Sequence, residues 1–481
     1  MELKKSIGLW SAVAIVVGSI IGSSIFMKPA TMAGQLGSPI LLIVIWIVAG
    51  VVSLFGAMVF AELGSMFPET GGEYIYLQKA YGDFIGFLYG WSTIAVINTA
   101  AIAAIAFVCA DYLNFFLHLP HFSVATEQSV KLHIPMVGNI FPLQNFGVKM
   151  MAFTIIAGLT IVNYISVRSG NAIQFIATLV KVLAIVLLVF GILFSGKGST
   201  ENFFVSSPDF HLSGWSLLAG LMAATTGAFA CYDGWVNVNS VAGEIKDPKK
   251  NLPKSLIAGL FISIAVYVFV NLAYMYVLPV DVMSKSPLVA SDAAAKVFGM
   301  SGGSIIALLI IISAFGATNI NLLTNARIVF AMGEDGNFFP WTGKVQARFR
   351  TPGNSVILIG VWSSLFVLSG SFDILADMFV FMSWVFYGLT VTGIFILRKK
   401  LPDAERPYKV NGYPFVPLIF ILFTLLYMVV TLYNDIDNYN GGRSPIINSV
   451  FGILLTLAGI PLFWYLRKRR PGKKISEINL F

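Results

Sequence analysis

Twelve apolar runs, each long enough to cross a bilayer, leave this chain little choice of fold. They lie near 7–33, 39–66, 84–117, 147–166, 171–196, 214–241, 255–279, 302–332, 354–371, 373–397, 413–433 and 446–466. A helix crossing the hydrocarbon needs roughly 20 apolar residues. No water is available there, so every backbone N–H and C=O must be satisfied inside the protein, and runs of this length do so as helices. Several runs are longer than a straight crossing requires, which calls for tilt or for interrupted helices. Only 11% of the 481 residues are charged and 57% are hydrophobic, whereas a soluble domain has about 25% charged residues. The expected class is therefore an all-α integral membrane protein. The longest polar insert, about 118–146, is too short to fold alone, and no cleavable signal peptide is expected.

The net charge of +8 does not point to nucleic acid, because of where the charge sits. With the N-terminus in the cytoplasm, most of the 31 Lys and Arg fall on the cytoplasmic side, as positive-inside topology requires. Both termini are then cytoplasmic, in the cell (inner or plasma) membrane. The run Arg467-Lys-Arg-Arg470 reads as a flank of the last span, in reach of anionic lipid. The two cysteines, Cys109 and Cys231, fall inside spans and read as packing thiols rather than a disulfide framework. No Asn-x-Ser/Thr acceptor is present. His118, His121, His133 and His211 all fall in outer loops, and no metal site or cofactor is expected. Phosphate loops and zinc-protease motifs are also absent, so the chain is not read as an enzyme.

The most informative local pattern is Gly18-Ser-Ile-Ile-Gly-Ser-Ser-Ile-Phe26, inside the first span. Two glycines and three serines stand where a lipid-facing helix would be uniformly apolar. A second interruption, Phe229-Ala-Cys-Tyr-Asp-Gly-Trp235, falls in the sixth span. Corresponding interruptions in two halves point to a transporter site. Spans 1 and 6 are the first members of two five-helix halves, and an odd repeat length inserts the second half upside down. The expected divisions are 1–200, 201–400 and a remainder of 401–481 holding helices 11 and 12. A short outer helix over 287–298 is a candidate lid.

A helix broken at Gly22-Ser-Ser24 leaves free N–H groups at the start of its outer half, where the positive dipole end suits a carboxylate. The inner half ends in free carbonyls near Ile20 that suit an ammonium, and Ala230 and Asp233 supply more. The alternative is a small-residue packing face, since Gly18 and Gly22 have the GxxxG spacing. Lys181 sits in mid-span, where a lysine is costly and functional by default; snorkelling to a helix end is the other reading. Asn98 in span 3 contacts either substrate or another helix. Ser313 and Asn319 lie in a polar stretch of span 8 and face either the core or a neighbouring helix. Glu62 ends span 2 as an interfacial residue. The Asp233 carboxylate either reads a cationic side chain or bonds helix ends locally.

The ordered motifs GSIIGSSIFMKP, FACYDGW, GEIKDPKKNLP, FGATNINLLTNARIVFAMGEDG and ERPYKVNGYPFVPLIF resemble the amino acid–polyamine–organocation superfamily, in particular its L-type amino acid transporter branch in a prokaryotic form. The resemblance spans essentially the whole chain. It implies a LeuT-type 5+5 inverted repeat with twelve transmembrane helices, the first and sixth broken at mid-membrane. It implies a substrate carboxylate on the amides of Gly22, Ser23, Ser24 and Ile25, and an ammonium on the carbonyls of Ile20, Ala230 and Asp233. Lys181 matches the lysine that replaces a coupling cation and ties Gly18 to Ser313, and Asn98 matches a substrate-proximal position. Two departures stand out. Ser24 replaces a common glycine, and Ala230 stands where an aromatic gate is common, with Phe229 beside it. The expected function is alternating-access exchange of neutral L-amino acids. A proton-coupled symporter, able to accept cationic amino acids, is the alternative. The loop after span 3 has no cysteine, so no disulfide-linked heavy chain is expected.

Overall fold

In the computed structural model the described residues are 7–68, 71–165, 167–208, 210, 213–240, 242–334 and 336–468, without the side chains of 167–178, 240 and 243. His211 and the basic residues Arg469 and Arg470 lie outside this set.

Helices make up most of the structure. They are α1 Leu9–Ile20, α2 Lys28–Leu36, α3 Pro39–Met66, α4 Glu73–Tyr81, α5 Asp83–Ser92, α6 Asn98–Leu117, α7 Val124–Ser129, α8 Phe146–Ile165, α9 Val167–Leu193 and α10 Gly214–Tyr232. There follow α11 Asn237–Ser240, α12 Pro248–Val277, α13 Val280–Ser284, α14 Val289–Glu334, α15 Gly353–Ser369, α16 Phe372–Lys400, α17 Phe415–Asn440, α18 Asn448–Leu457 and α19 Gly459–Lys468. Among the described residues, nine helical stretches are long and apolar enough to cross a membrane. Leu9–Ile20, Leu179–Leu193 and Gly353–Ser369 are shorter apolar helices.

The helix ends follow from local chemistry. Gly37 adopts φ 60 and closes α2, a left-handed position that favours glycine. Ser38 then caps α3, accepting from the Leu41 amide, with Pro39 in the first turn; proline is tolerated there because that N–H has no helical partner. Pro248 opens α12 in the same way, but Pro253 lies within α12, so the second proline does not restart a helix. The expected outer helix over 287–298 is the first arm of α14, whose φ/ψ turn non-helical at Gly299. The 118–146 insert carries a feature not expected from sequence. After α7 it forms an antiparallel hairpin, β1 Leu132–Ile134 with β2 Gly138–Ile140. This hairpin is tied to the approach of α18 by Asn139 N–H to Pro445 O and Ile447 N–H to Val137 O, each 2.8 Å.

The core is a large continuous apolar cluster, with a small separate one of Val137, Ile140 and Ile446 at the hairpin. Within the large cluster α1 packs on α12, α2 on α10 and α13, and α14 on α6 and α9. This packing brings the ends of α1 and α10 side by side.

Candidate functional site

The first interruption is a short non-helical passage followed by one tight turn. After Ile20 the α-helix stops, Ser24–Phe26 forms a 3-10 turn, and α2 begins at Lys28. The turn closes through Phe26 N–H to Ser23 O and Met27 N–H to Ser24 O, both 3.1 Å. The amides of Gly22, Ser23, Ser24 and Ile25 have no backbone acceptor among the described residues. Of these four, only the Gly22 amide faces a side-chain oxygen, the Tyr267 hydroxyl. The Ser23 hydroxyl is buried and has no partner among the described residues. Because the turn is 3-10, Ser24 needs no left-handed backbone, and its side chain is accommodated where the family often has glycine.

The second interruption begins where α10 ends at Tyr232, with Asp233 as its cap. Gly234 then adopts φ +102, and a Cβ there would lie 2.7 Å from the Ser19 carbonyl oxygen. Only glycine allows the two backbones to approach this closely. The breaks are also joined through α12: the Tyr267 hydroxyl lies 2.8 Å from Ile20 O and 2.7 Å from Cys231 O. Tyr274, further along α12, reaches Ile25 O at 3.5 Å, and Tyr112 on α6 donates to Phe26 O at 3.0 Å. The C-terminal side of the first break is thus held by tyrosine hydroxyls on neighbouring helices.

The expected residues fall into three groups. Ile20, Gly22, Ser23, Ser24, Ile25, Ala230 and Asp233 line the two breaks that meet at Ser19 and Gly234. Lys181 on α9 donates to Gly18 O at 3.0 Å, which ties the C-terminal end of α1 to α9 and excludes snorkelling. Ser313 on α14 is buried, and its hydroxyl has no partner among the described residues. Asn98 belongs to a third group, because its amide donates to Asn325 on α14 at 2.5 Å. It begins α6 directly after a π-helical stretch, Thr93–Ile97, a distortion frequent at functional sites. A partner likewise exists for Asn319, which accepts from Asn163 at 2.9 Å.

Two expectations change. The GxxxG packing alternative fails, because an added Cβ at Gly18 meets nothing within 4 Å and one at Gly22 meets only Ile20 O, at 3.7 Å. Glu62 is not interfacial; it is fully buried at 0% exposure. It forms a two-pronged pair with Arg398, Nε to Oε1 2.9 Å and Nη2 to Oε2 2.6 Å, and it accepts the Val410 amide at 2.8 Å. Arg398 stacks on Tyr413, 3.6 Å from the ring centre. The ERPYKVNGYP segment is therefore clamped to the end of α3 by one carboxylate. Phe229 stacks on Trp384, ring centres 3.6 Å apart, so it faces α16 and leaves the gate position to Ala230.

Sequence reasoning missed Lys28. It is 2% exposed, one residue after the first break, and bonds Asp373 at 2.7 Å and Asp377 at 2.9 Å on α16. Its position in the MKP motif was visible, but its partners lie more than 340 residues away. Tyr387, also on α16, donates to Asp233 Oδ1 at 2.7 Å. The Asp233 carboxylate is thus held both by a neighbouring helix and, locally, by the Gly234 amide that follows the end of α10.

The amino acid permease family profile matches residues 7–458. The chain belongs to this family. The permease is 30% identical to the serine/threonine exchanger SteT of Bacillus subtilis (strain 168), across 97% of this chain and 98% of that protein. It is 31% identical to the human b(0,+)-type amino acid transporter 1, covering 97% and 88%. It is 32% identical to the human large neutral amino acids transporter small subunit 2, covering 96% and 81%. These relatives place the permease in the amino acid–polyamine–organocation superfamily, beside L-type members. It is a multi-pass membrane transporter and not an enzyme.

Proposed function

We propose that the permease exchanges neutral L-amino acids across the cell membrane by alternating access. The observation that carries this reading is the run of amides at Gly22 to Ile25, with no backbone acceptor, set against the carbonyl-rich end of the second break. A carboxylate fits the amides at the positive end of a helix, and an ammonium fits the carbonyls of Ile20, Ala230 and Asp233. Reading an amino acid through its backbone leaves the side chain free to vary. Ala230, small where an aromatic gate is common, leaves room for that side chain. The wider architecture belongs to the same proposal. The nine long helices together with the three shorter apolar ones fit twelve spans. We assign 1–200 and 201–400 to two inverted five-helix repeats, 401–481 to helices 11 and 12 with a basic tail, and both termini to the cytoplasm. Lys181, bonded to Gly18, stands in for a coupling cation beside Ser313. No disulfide-linked heavy chain is part of this reading.

Counter-flow in liposomes containing purified permease tests it. Uptake of labelled neutral amino acids should require amino acid inside. Equal uptake into empty liposomes would refute exchange, and uptake driven by a proton gradient would favour the symport alternative. Lysine or arginine competition that disappears in Asp233→Asn would extend the substrates to cationic amino acids.

A further inference from the structure

Glu73 opens α4, outside the membrane-spanning helices, and only 4% of it is exposed. Its Oε1 accepts from Thr390 Oγ1 on α16 at 2.8 Å. Its Oε2 is buried with no partner among the described residues. A buried carboxylate is normally paired with a cation or supplied with hydrogen bonds on both oxygens. Among the described residues its partners are neutral hydroxyls, and no cation faces it. From α5 the Tyr89 hydroxyl donates to the Glu73 carboxyl, and Asp83 is engaged by Gln78 Nε2 at 2.8 Å. On α4 itself Tyr76 donates to Asn239 at 3.2 Å, and Lys79 lies over the Phe67 ring. On α16, Arg398 is held by Glu62, and Lys400 donates to Ala80 O at 2.9 Å. The nearest charged neighbour is another acid, Asp233 at the second break.

Tyr387 and Thr390 are three residues apart on α16, so they share one helix face. The first donates to Asp233 and the second to Glu73. Phe60 and Trp235 pack against the Tyr387 ring, with centres 5.9 and 5.2 Å away.

We propose that Glu73 is a proton-binding site of the transport cycle, coupled to the second break through the Tyr387–Thr390 face of α16. The inference rests on the transporter reading above and adds to it a proton and the carboxyl that binds it. With a proton on Oε2 the carboxyl is neutral and α4 stays docked on α16. Loss of that proton to water leaves a buried negative charge beside the Asp233 carboxyl without a counter-ion, and the docked arrangement is weakened. Burial pushes the Glu73 carboxyl up to about 8. The sign follows from proton binding. Between the ordinary carboxylate range and about pH 8 the docked form holds a proton that an undocked, solvated Glu73 lacks. The docked form is therefore favoured at the low end of that window and loses ground as pH rises through it.

The test is exchange of labelled L-serine against internal L-serine in liposomes, from about pH 6 to about pH 9. The protonated fraction of a group titrating near 8 falls about tenfold over that range, and wild-type exchange should fall with it. Glu73→Gln, neutral throughout, should retain exchange and vary less than about twofold over the same range. Thr390→Val removes a hydrogen bond that favours the anion, so the midpoint should move to higher pH. A wild-type pH profile in Glu73→Gln, or an unmoved midpoint in Thr390→Val, overturns the proposal. Absence of wild-type serine exchange at every pH would count against the transport reading instead. The melting temperature of the detergent-purified protein then tests Glu73 without substrate. It should fall with pH in the wild type and stay flatter in Glu73→Gln, and parallel curves would overturn the proton site.

Discussion

Gly234→Ala tests whether the two breaks form one site. Two penalties can be read from the coordinates. Alanine at φ +102 is in a region that L-residues avoid, at roughly 1–2 kcal/mol. Its Cβ would also stand 2.7 Å from Ser19 O and 3.0 Å from Ser19 C. Both are backbone atoms, so no side chain can rotate away, and the α1 end must withdraw by several tenths of an ångström. Overpacking of this kind costs about 1–3 kcal/mol. A combined effect near 3 kcal/mol corresponds to about a hundredfold change in an equilibrium constant. The effect should divide between a lower melting temperature and weaker amino-acid binding, since parting the breaks relieves the strain but spoils the site. Gly22→Ala is the matched control. Its Cβ would touch only Ile20 O, at 3.7 Å, and its backbone is not left-handed, so the melting temperature should hold while binding at the neighbouring amides weakens. Thermal shift and counter-flow in liposomes report the two effects separately. Wild-type melting together with wild-type exchange in Gly234→Ala would refute the contact as a functional joint.

Other perturbations have equally direct outcomes. Glu62→Gln leaves Arg398 without its buried partner and should cost about 3–5 kcal/mol, seen as a large drop in melting temperature that Glu62→Gln/Arg398→Met partly restores. Lys28→Met leaves Asp373 and Asp377 facing each other; their exposures of 44% and 33% admit water, so a smaller loss of about 1–3 kcal/mol is expected, and adding Asp377→Asn should recover part of it. Lys181→Met removes the donor to Gly18 O. Leaving that carbonyl unmet should cost about 1–3 kcal/mol, and counter-flow should fall by more than any loss of folded protein explains.

The first break was legible because glycine and serine in a membrane helix have few other uses, and Asp233 because an acid in a span demands a cause. The buried position of Lys181 was legible for the same reason. Its acceptor came from the family resemblance, because a lysine alone does not name a carbonyl 163 residues away. Glu62 was misjudged because its position at a helix end looks solvated until a loop more than 340 residues later folds over it. Lys28 was hidden similarly: its carboxylates belong to a helix that no local pattern connects with α2. The π-helical turn before Asn98 had no sequence signal, since Thr-Ile-Ala-Val-Ile fits an ordinary apolar helix equally well.

The Tyr267 hydroxyl has a consequence for how the two breaks share hydrogen bonds. It carries one proton and lies within bonding distance of two carbonyls, Ile20 O and Cys231 O. Only one of them can receive that proton at a time, so the helix ends compete for it. A short way along the chain the situation is reversed, with consecutive amides at Gly22 to Ile25 offering protons to no backbone acceptor. A molecule that brings several protons on one atom and several lone pairs on its neighbour would end the competition and occupy the amides together. A zwitterion does both. Under the proposed reading of this site, a bound zwitterion would let both helix ends be satisfied at once.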